Sequence, residues 1–129
     1  MRVFATKSFG RFSRRERIGK APLCQAVERA ERGLIDADLG GGIIKQRLAR
    51  KGQGRSGGFR VLIVYRERVR AVFLYGFAKK ERDNIDDDEL LRLRRAAAEM
   101  LSWSDKQIAA LLSAGEWTEI ECRDEEDQD

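Results

Sequence analysis

Histidine is absent from the chain, and proline occurs once, as Pro22. The usual proton-transfer side chain is therefore missing, and so are the zinc sets that depend on imidazole. Cysteine occurs only as Cys24 and Cys122, far apart and in no C-x-x-C pair. That usage argues against a disulfide framework and against a zinc site, and it reads as cytoplasmic. No window approaches the run of about 18 apolar residues that a membrane helix needs, so no membrane partner is expected. The opening MRVFATKSFGRFSRRERI has no apolar stretch of secretory type, and Val3, Phe4 and Phe9 suit an opening strand. A length of 129 residues provides for one core and not two.

What is abundant is charge, unevenly spread. Residues 1–85 carry 21 basic and 8 acidic side chains, whereas residues 86–129 carry 5 and 14. Within 45–82 the balance is 12 basic to 2 acidic. Such asymmetry points to a polyanionic partner for the first two thirds of the chain.

Hydrophobic periodicity gives the elements. Residues 2–7 form a first strand, and Ser8 is placed to cap a short helix through Phe9, Phe12 and Ile18. Pro22 sits in the first turn of a second helix carrying Leu23, Ala26, Val27 and Ala30, which Gly33 ends. The period then becomes two. In 43–50, Ile44, Gln46 and Leu48 share one face, and Ile43, Lys45, Arg47 and Ala49 the other. The runs 59–68 and 69–79 read as central strands joined near Arg66–Arg68. Asp86 with Glu89, and Ser104 with Gln107, have capping-box spacing for two last helices. One carries Leu90, Leu93, Ala97 and Leu101; the other carries Ile108, Leu111 and Leu112 and stops near Gly115. A short strand is expected over 117–122. The sum is an α+β domain over 1–122, with a small antiparallel sheet between N-terminal and C-terminal helices and an acidic, disordered tail at 123–129.

Gly52-Gln53-Gly54-Arg55-Ser56-Gly57 spells G-x-G-x-x-G, but it lies between two strands and no carboxylate follows at the ribose-binding distance. A dinucleotide site is thereby set aside, no P-loop occurs, and no small-molecule cofactor is expected. Gly52, Gly54, Gly57 and Gly58 fit a β-connection with positive φ angles, and the interleaved Lys51, Arg55 and Arg60 make it a phosphate-facing loop. Asp36, Asp38 and the acids from Glu81 to Asp88 are weighed as Mg²⁺ ligands. Helix-start charge and a glycine turn account for them better, so no metal is assigned.

Gly42, Lys45 and Arg47, then Gly54, Ser56, Gly57, Gly58 and Arg60, then Phe77, Lys79, Glu81 and Ile85 together resemble three ordered motifs. These belong to the RelE/HigB group of bacterial toxins within the RelE/ParE superfamily, in its HigB-like branch. The resemblance covers about residues 34–102, and Arg55 stands where the family often has lysine. It implies a toxin of a type II toxin–antitoxin pair that enters the ribosomal A site and cuts mRNA, restrained by an antitoxin, often of helix-turn-helix type. A ParE-like inhibitor of DNA gyrase without catalysis and a non-catalytic nucleic-acid or ribosome binder are the alternatives.

Metal-free RNA cleavage needs a base at the 2′-oxygen, positive charge at the phosphorane and an acid at the leaving 5′-oxygen. Lysine in a cationic patch can replace histidine, and arginine holds phosphate bidentately without losing its proton. Lys45 is assigned as general base with Arg47 beside it, Arg60 as transition-state stabiliser, and Lys79 to the leaving group or phosphate. Arg50, Lys51, Arg55, Ser56, Lys80 and Arg82 are assigned to the RNA backbone. Tyr75 and Phe77 could stack on a base, but alternation favours Phe73 and Phe77 as core.

Overall fold

The structure is a computed structural model that describes residues 1–50, 54–79, 82 and 84–122, without the side chains of 49, 50 and 54–57. The chain runs β1 (Arg2–Thr6), α1 (Lys7–Arg15), α2 (Lys20–Glu31), β2 (Ala37–Gly40), β3 (Ile43–Arg50), β4 (Gly54–Arg66), β5 (Arg70–Ala78), α3 (Asp87–Ser102), α4 (Asp105–Ser113) and β6 (Trp117–Ile120). The six strands form one sheet in the order β2-β3-β4-β5-β1-β6. The fold is α+β, with helices on both faces of the sheet.

Alternation within the strands divides the core in two. Val3, Ala5, Ile44, Leu48, Val61, Ile63 and Phe73 face α1 and α2, which contribute Phe9, Phe12, Leu23, Ala26, Val27 and Ala30. Phe4, Ile43, Leu62, Val64 and Val72 face α3 and α4, which bring Ala97, Met100 and Ile108. Strands β1, β4 and β5 are buried on both faces, which is why their sequences are nearly continuous apolar runs.

Two features depart from the sequence reading. The sheet is mixed, because β1 lies parallel to β5 with Val3 opposite Ala71, and β6 completes the edge antiparallel to β1. A parallel neighbour needs a long crossover, and nothing local in residues 2–6 encodes it. The second departure is covalent: Cys24 on α2 is disulfide-bonded to Cys122 beyond β6, with Cα atoms 5.4 Å apart. Their separation in sequence had argued against pairing, but the β1–β6 pairing returns the chain to α2. Cysteine usage therefore no longer supports a cytoplasmic reading. Among the described residues, no helix is long and apolar enough to cross a membrane.

Local signals hold with adjustments. Thr6 rather than Ser8 caps α1, accepting the Phe9 N–H at 3.2 Å. Ser104 and Gln107 form the complete capping box of α4. Asp86 caps α3 through the Glu89 N–H at 2.8 Å, while the Glu89 carboxylate turns elsewhere. Gly54–Gly58 open β4 rather than forming a loop, since Gly54 pairs with Arg50 across a bulge in the ladder; Gly52 lies outside the described residues. Consecutive positive φ angles occur at Gly40, Gly41 and Gly42, in the glycine turn between β2 and β3. At Gly42 a Cβ would also meet Leu101 Cδ1 at 2.7 Å.

Gly76 has a different reason. A Cβ there would lie under 3.0 Å from three atoms of the Phe12 ring, which packs directly on the β5 backbone. Gly76→Ala is expected to destabilise the fold by about 1–3 kcal/mol, the usual range for overpacking. Urea denaturation checks this, and adding Phe12→Leu to Gly76→Ala should recover part of the loss.

Candidate functional site

Helix α3 covers the β4–β5 region around Leu62, Val64 and Val72 but leaves one end of that sheet face open. There a groove of about 460 Å³ is lined by Asp36, Ala37, Lys45, Arg47, Arg60, Lys79 and Asn84. Its floor follows from strand register. Lys45 and Arg47 are two apart on β3 and share a face, Arg47 stands opposite Arg60 on β4, and Arg60 stands opposite Phe77 on β5. Lys79 is two residues past Phe77, and its N–H donates to the Gly58 carbonyl at 2.9 Å, which extends the ladder. The four residues assigned to catalysis from sequence thus line a single groove.

Each is held differently. Lys45 Nζ donates to Asn84 Oδ1 at 2.8 Å. Arg60 is 7% exposed, so its charge sits in a poorly solvated setting where its field acts strongly. Arg47 remains half exposed, yet three contacts fix it. Its guanidinium reaches Asp36 Oδ1 at 3.2 Å, its N–H donates to Asp36 Oδ2 at 2.7 Å, and its carbonyl accepts from Arg29 at 2.6 Å. Two arginines directly opposite across a ladder repel, and Asp36 offsets part of that repulsion. Burial alone would raise the Asp36 carboxyl. The Arg47 hydrogen bonds and the charges of Arg47 and Arg29 outweigh burial and hold it below the ordinary carboxylate range.

Behind Asp36 stands Gln46, fully buried on the opposite face of β3. Its amide nitrogen donates to the Ala26 and Leu34 carbonyls at 2.9 and 3.1 Å, and its oxygen accepts the Asp36 N–H at 2.8 Å. Gln46 therefore ties the middle of α2 and the connection that follows it to the strand that carries Lys45 and Arg47. Sequence reasoning placed Gln46 on one face with Ile44 and Leu48 but gave it no task. A fully buried amide must find its partners, and that requirement was the available signal. Asp36 was considered as a metal ligand; its work is to hold Arg47.

Arg82 does not join the groove. It pairs with Glu89 at 2.7 Å, donates to the Tyr75 hydroxyl and lies over the Phe77 ring at 5.1 Å. Phe73 and Phe77 are buried, and the guanidinium on Phe77 occupies the face a base would need. The side chains of Arg50, Lys51, Arg55, Ser56 and Lys80 lie outside the described residues, as does the tail 123–129. Among the described residues no group of three or more His, Cys, Asp or Glu is arranged to hold a metal.

The Arg82 hydrogen bond lowers the Glu89 carboxyl from 4.5 to about 2, against an opposing effect of burial. A carboxyl that is more acidic in the folded than in the unfolded protein stabilises the fold above its unfolded value. That contribution is lost as pH falls from about 4.5 toward about 2. Glu89→Gln is expected to be less stable than the wild type at neutral pH, with the difference shrinking through this window. Urea unfolding at a series of pH values measures it; a difference constant with pH would show that the Glu89 charge is not responsible.

A mixed sheet with one end left open carries Lys45, Arg47, Arg60 and Lys79 together with Asp36 at that end, among the described residues. The chain matches the family model described as the RelE toxin of the RelE / RelB toxin-antitoxin system over residues 1–120, and it belongs to that family. It is accordingly the toxin component of a toxin–antitoxin pair, with a cognate antitoxin as partner. A search of curated proteins returned no match.

Proposed function

We propose that the chain is a metal-independent, ribosome-dependent mRNA endonuclease acting through the groove of Lys45, Arg47, Arg60 and Lys79. The observation that supports this most is their convergence on one cavity, from β3, from β4 and from the residue just past β5. A structural role would not require four cations to share a surface, whereas a phosphodiester would.

In this reading the 2′-hydroxyl of the bound message attacks its own phosphate. Lys45, oriented by its hydrogen bond to Asn84, is the group that takes the 2′-proton. Arg60, buried and already in place, compensates the charge that builds on the phosphorane. Arg47, held by Asp36, contacts a neighbouring phosphate oxygen, and Lys79 supplies a proton to the departing 5′-oxygen. The HigB-like motifs, an antitoxin of helix-turn-helix type and binding in the ribosomal A site belong to the same proposal.

A purified bacterial translation system with a defined message tests it, with new 5′ ends mapped by primer extension. Discrete cuts at codon-spaced positions are expected, absent without ribosomes and absent with Lys45→Ala. An intact message with unimpaired translation would overturn the proposal and make gyrase inhibition, the ParE-like alternative, the next assay.

A further inference from the structure

A second cationic surface lies across the sheet from the groove. Lys7, Arg11 and Arg14 fall at i, i+4 and i+7 on α1, one line of about 10 Å along the helix, opposite the buried Phe9 and Phe12. Arg17 follows in the left-handed region at φ 58°, and Lys20 opens α2. All five are exposed, and none has an acidic partner among the described residues. Arg15 alone in this segment is spent, on Glu16 at 3.5 Å.

Helix stability suits Arg14, in the last turn of α1, but does not account for the lysines that open the two helices. Anionic side chains favour a helix N-terminus, yet α1 and α2 each begin with lysine and have no acid in the first turn. Helices α3 and α4 follow the rule, with Asp87, Asp88 and Glu89 in one and Asp105 in the other.

The surface also joins the groove. Phe12 packs edge-on against Phe59 and over Gly76, the residues next to Arg60 and Phe77. The α1 cations and the groove cations therefore flank the same end of the sheet from its two faces.

We propose that the Lys7–Arg11–Arg14 face of α1, continued by Arg17 and Lys20, is a second binding surface for the phosphate backbone of duplex RNA. The chemistry selects this partner. No large hydrophobic side chain is exposed on α1, so the face has no apolar anchor for a protein partner. Its own apolar side is buried in the core, so it has nothing to insert into a membrane. It presents no aromatic ring for stacking on single-stranded bases, which leaves charge read along a regular backbone. The inference rests on the RNA-binding part of the function proposed above and not on cleavage.

The test is equilibrium binding of the full chain to a labelled RNA hairpin over a series of salt concentrations. The triple variant Lys7→Gln, Arg11→Gln, Arg14→Gln is compared with wild type and with the charge-keeping Lys7→Arg, Arg11→Lys, Arg14→Lys. Each lost phosphate contact should reduce the slope of log K against log salt by roughly 0.7–0.9, so a fall of about 2–3 is expected for the Gln variant and none for the charge-keeping one. An unchanged slope overturns the inference, as does a Gln variant that instead loses only its inhibition by an acidic protein partner. A second readout needs no variant: the hairpin should protect the Lys7 and Lys20 amines from acetylation, and equal labelling with and without RNA overturns the inference. Cleavage with an unchanged slope removes this inference alone; hairpin binding through α1 without any cleavage removes only the endonuclease proposal.

Discussion

Arg60→Gln is expected to lower message cleavage about 100- to 1000-fold, the range for removing one preorganised donor from a developing oxyanion. The reason is its position. A guanidinium 7% exposed, flanked in register by Arg47 and Phe77, cannot relax toward water as charge builds on a bound phosphate. Its contribution is therefore present before the reaction begins. Glutamine keeps hydrogen-bonding capacity without the charge. Arg60→Lys keeps the charge but not the planar fork and should fall between the two. Single-turnover cleavage on programmed ribosomes measures the effect, with urea unfolding of each variant to separate it from lost stability. A well-folded Arg60→Gln protein that cuts at the wild-type rate would reduce Arg60 to a structural cation and remove the stabiliser from the proposed reaction.

The second large effect is on stability. Cys122→Ser is expected to destabilise the fold by about 3–5 kcal/mol, because the bridge closes a loop with a sequence separation of 98, and cross-linking so long a loop removes much unfolded-state entropy. The bond also fastens the last strand and α2 to each other, and β6 is a four-residue edge strand. Urea unfolding with and without reductant checks it: reduced wild type and the oxidised variant should unfold together, well below oxidised wild type. Coincident curves for oxidised and reduced wild type would show that the bridge adds nothing.

Much of this architecture was legible because it is local. The period of two in 43–50 set Lys45 and Arg47 on one face of β3, and the β-branched and aromatic runs of 59–68 and 69–79 announced β4 and β5; the register that brings Arg60 opposite Arg47 came only with the pairing of the strands. Asp86 and Ser104 announced α3 and α4 because a cap is written within four residues. The parallel placement of β1 was hidden, since Val3 and Ala71 meet only through the crossover. The disulfide was hidden for the same reason, as it depends on β6 finding β1. The roles of Asp36 and Gln46 were not legible because their partners lie in other segments and are largely backbone atoms, which no local side-chain pattern announces. Arg82 was read as one more cation of a basic run; only the return of α3 brings Glu89 to it.

The place of β1 in the sheet bears on how the molecule assembles. Strand β1 is an interior one, and its neighbour β5 begins at Arg70 while β6 begins at Trp117. Until those segments have been synthesised, Val3 and Phe4 have no ladder to enter and the apolar face of α1 has no sheet beneath it. Contacts this distant in sequence make for slow folding, in the range of milliseconds to seconds rather than microseconds. The groove residues on β3 and β4 can pair early, but β5 cannot be covered on its outer side until β1 docks. Closure of the sheet that carries the groove thus waits for β5 and β6, which lie far along the chain from β1.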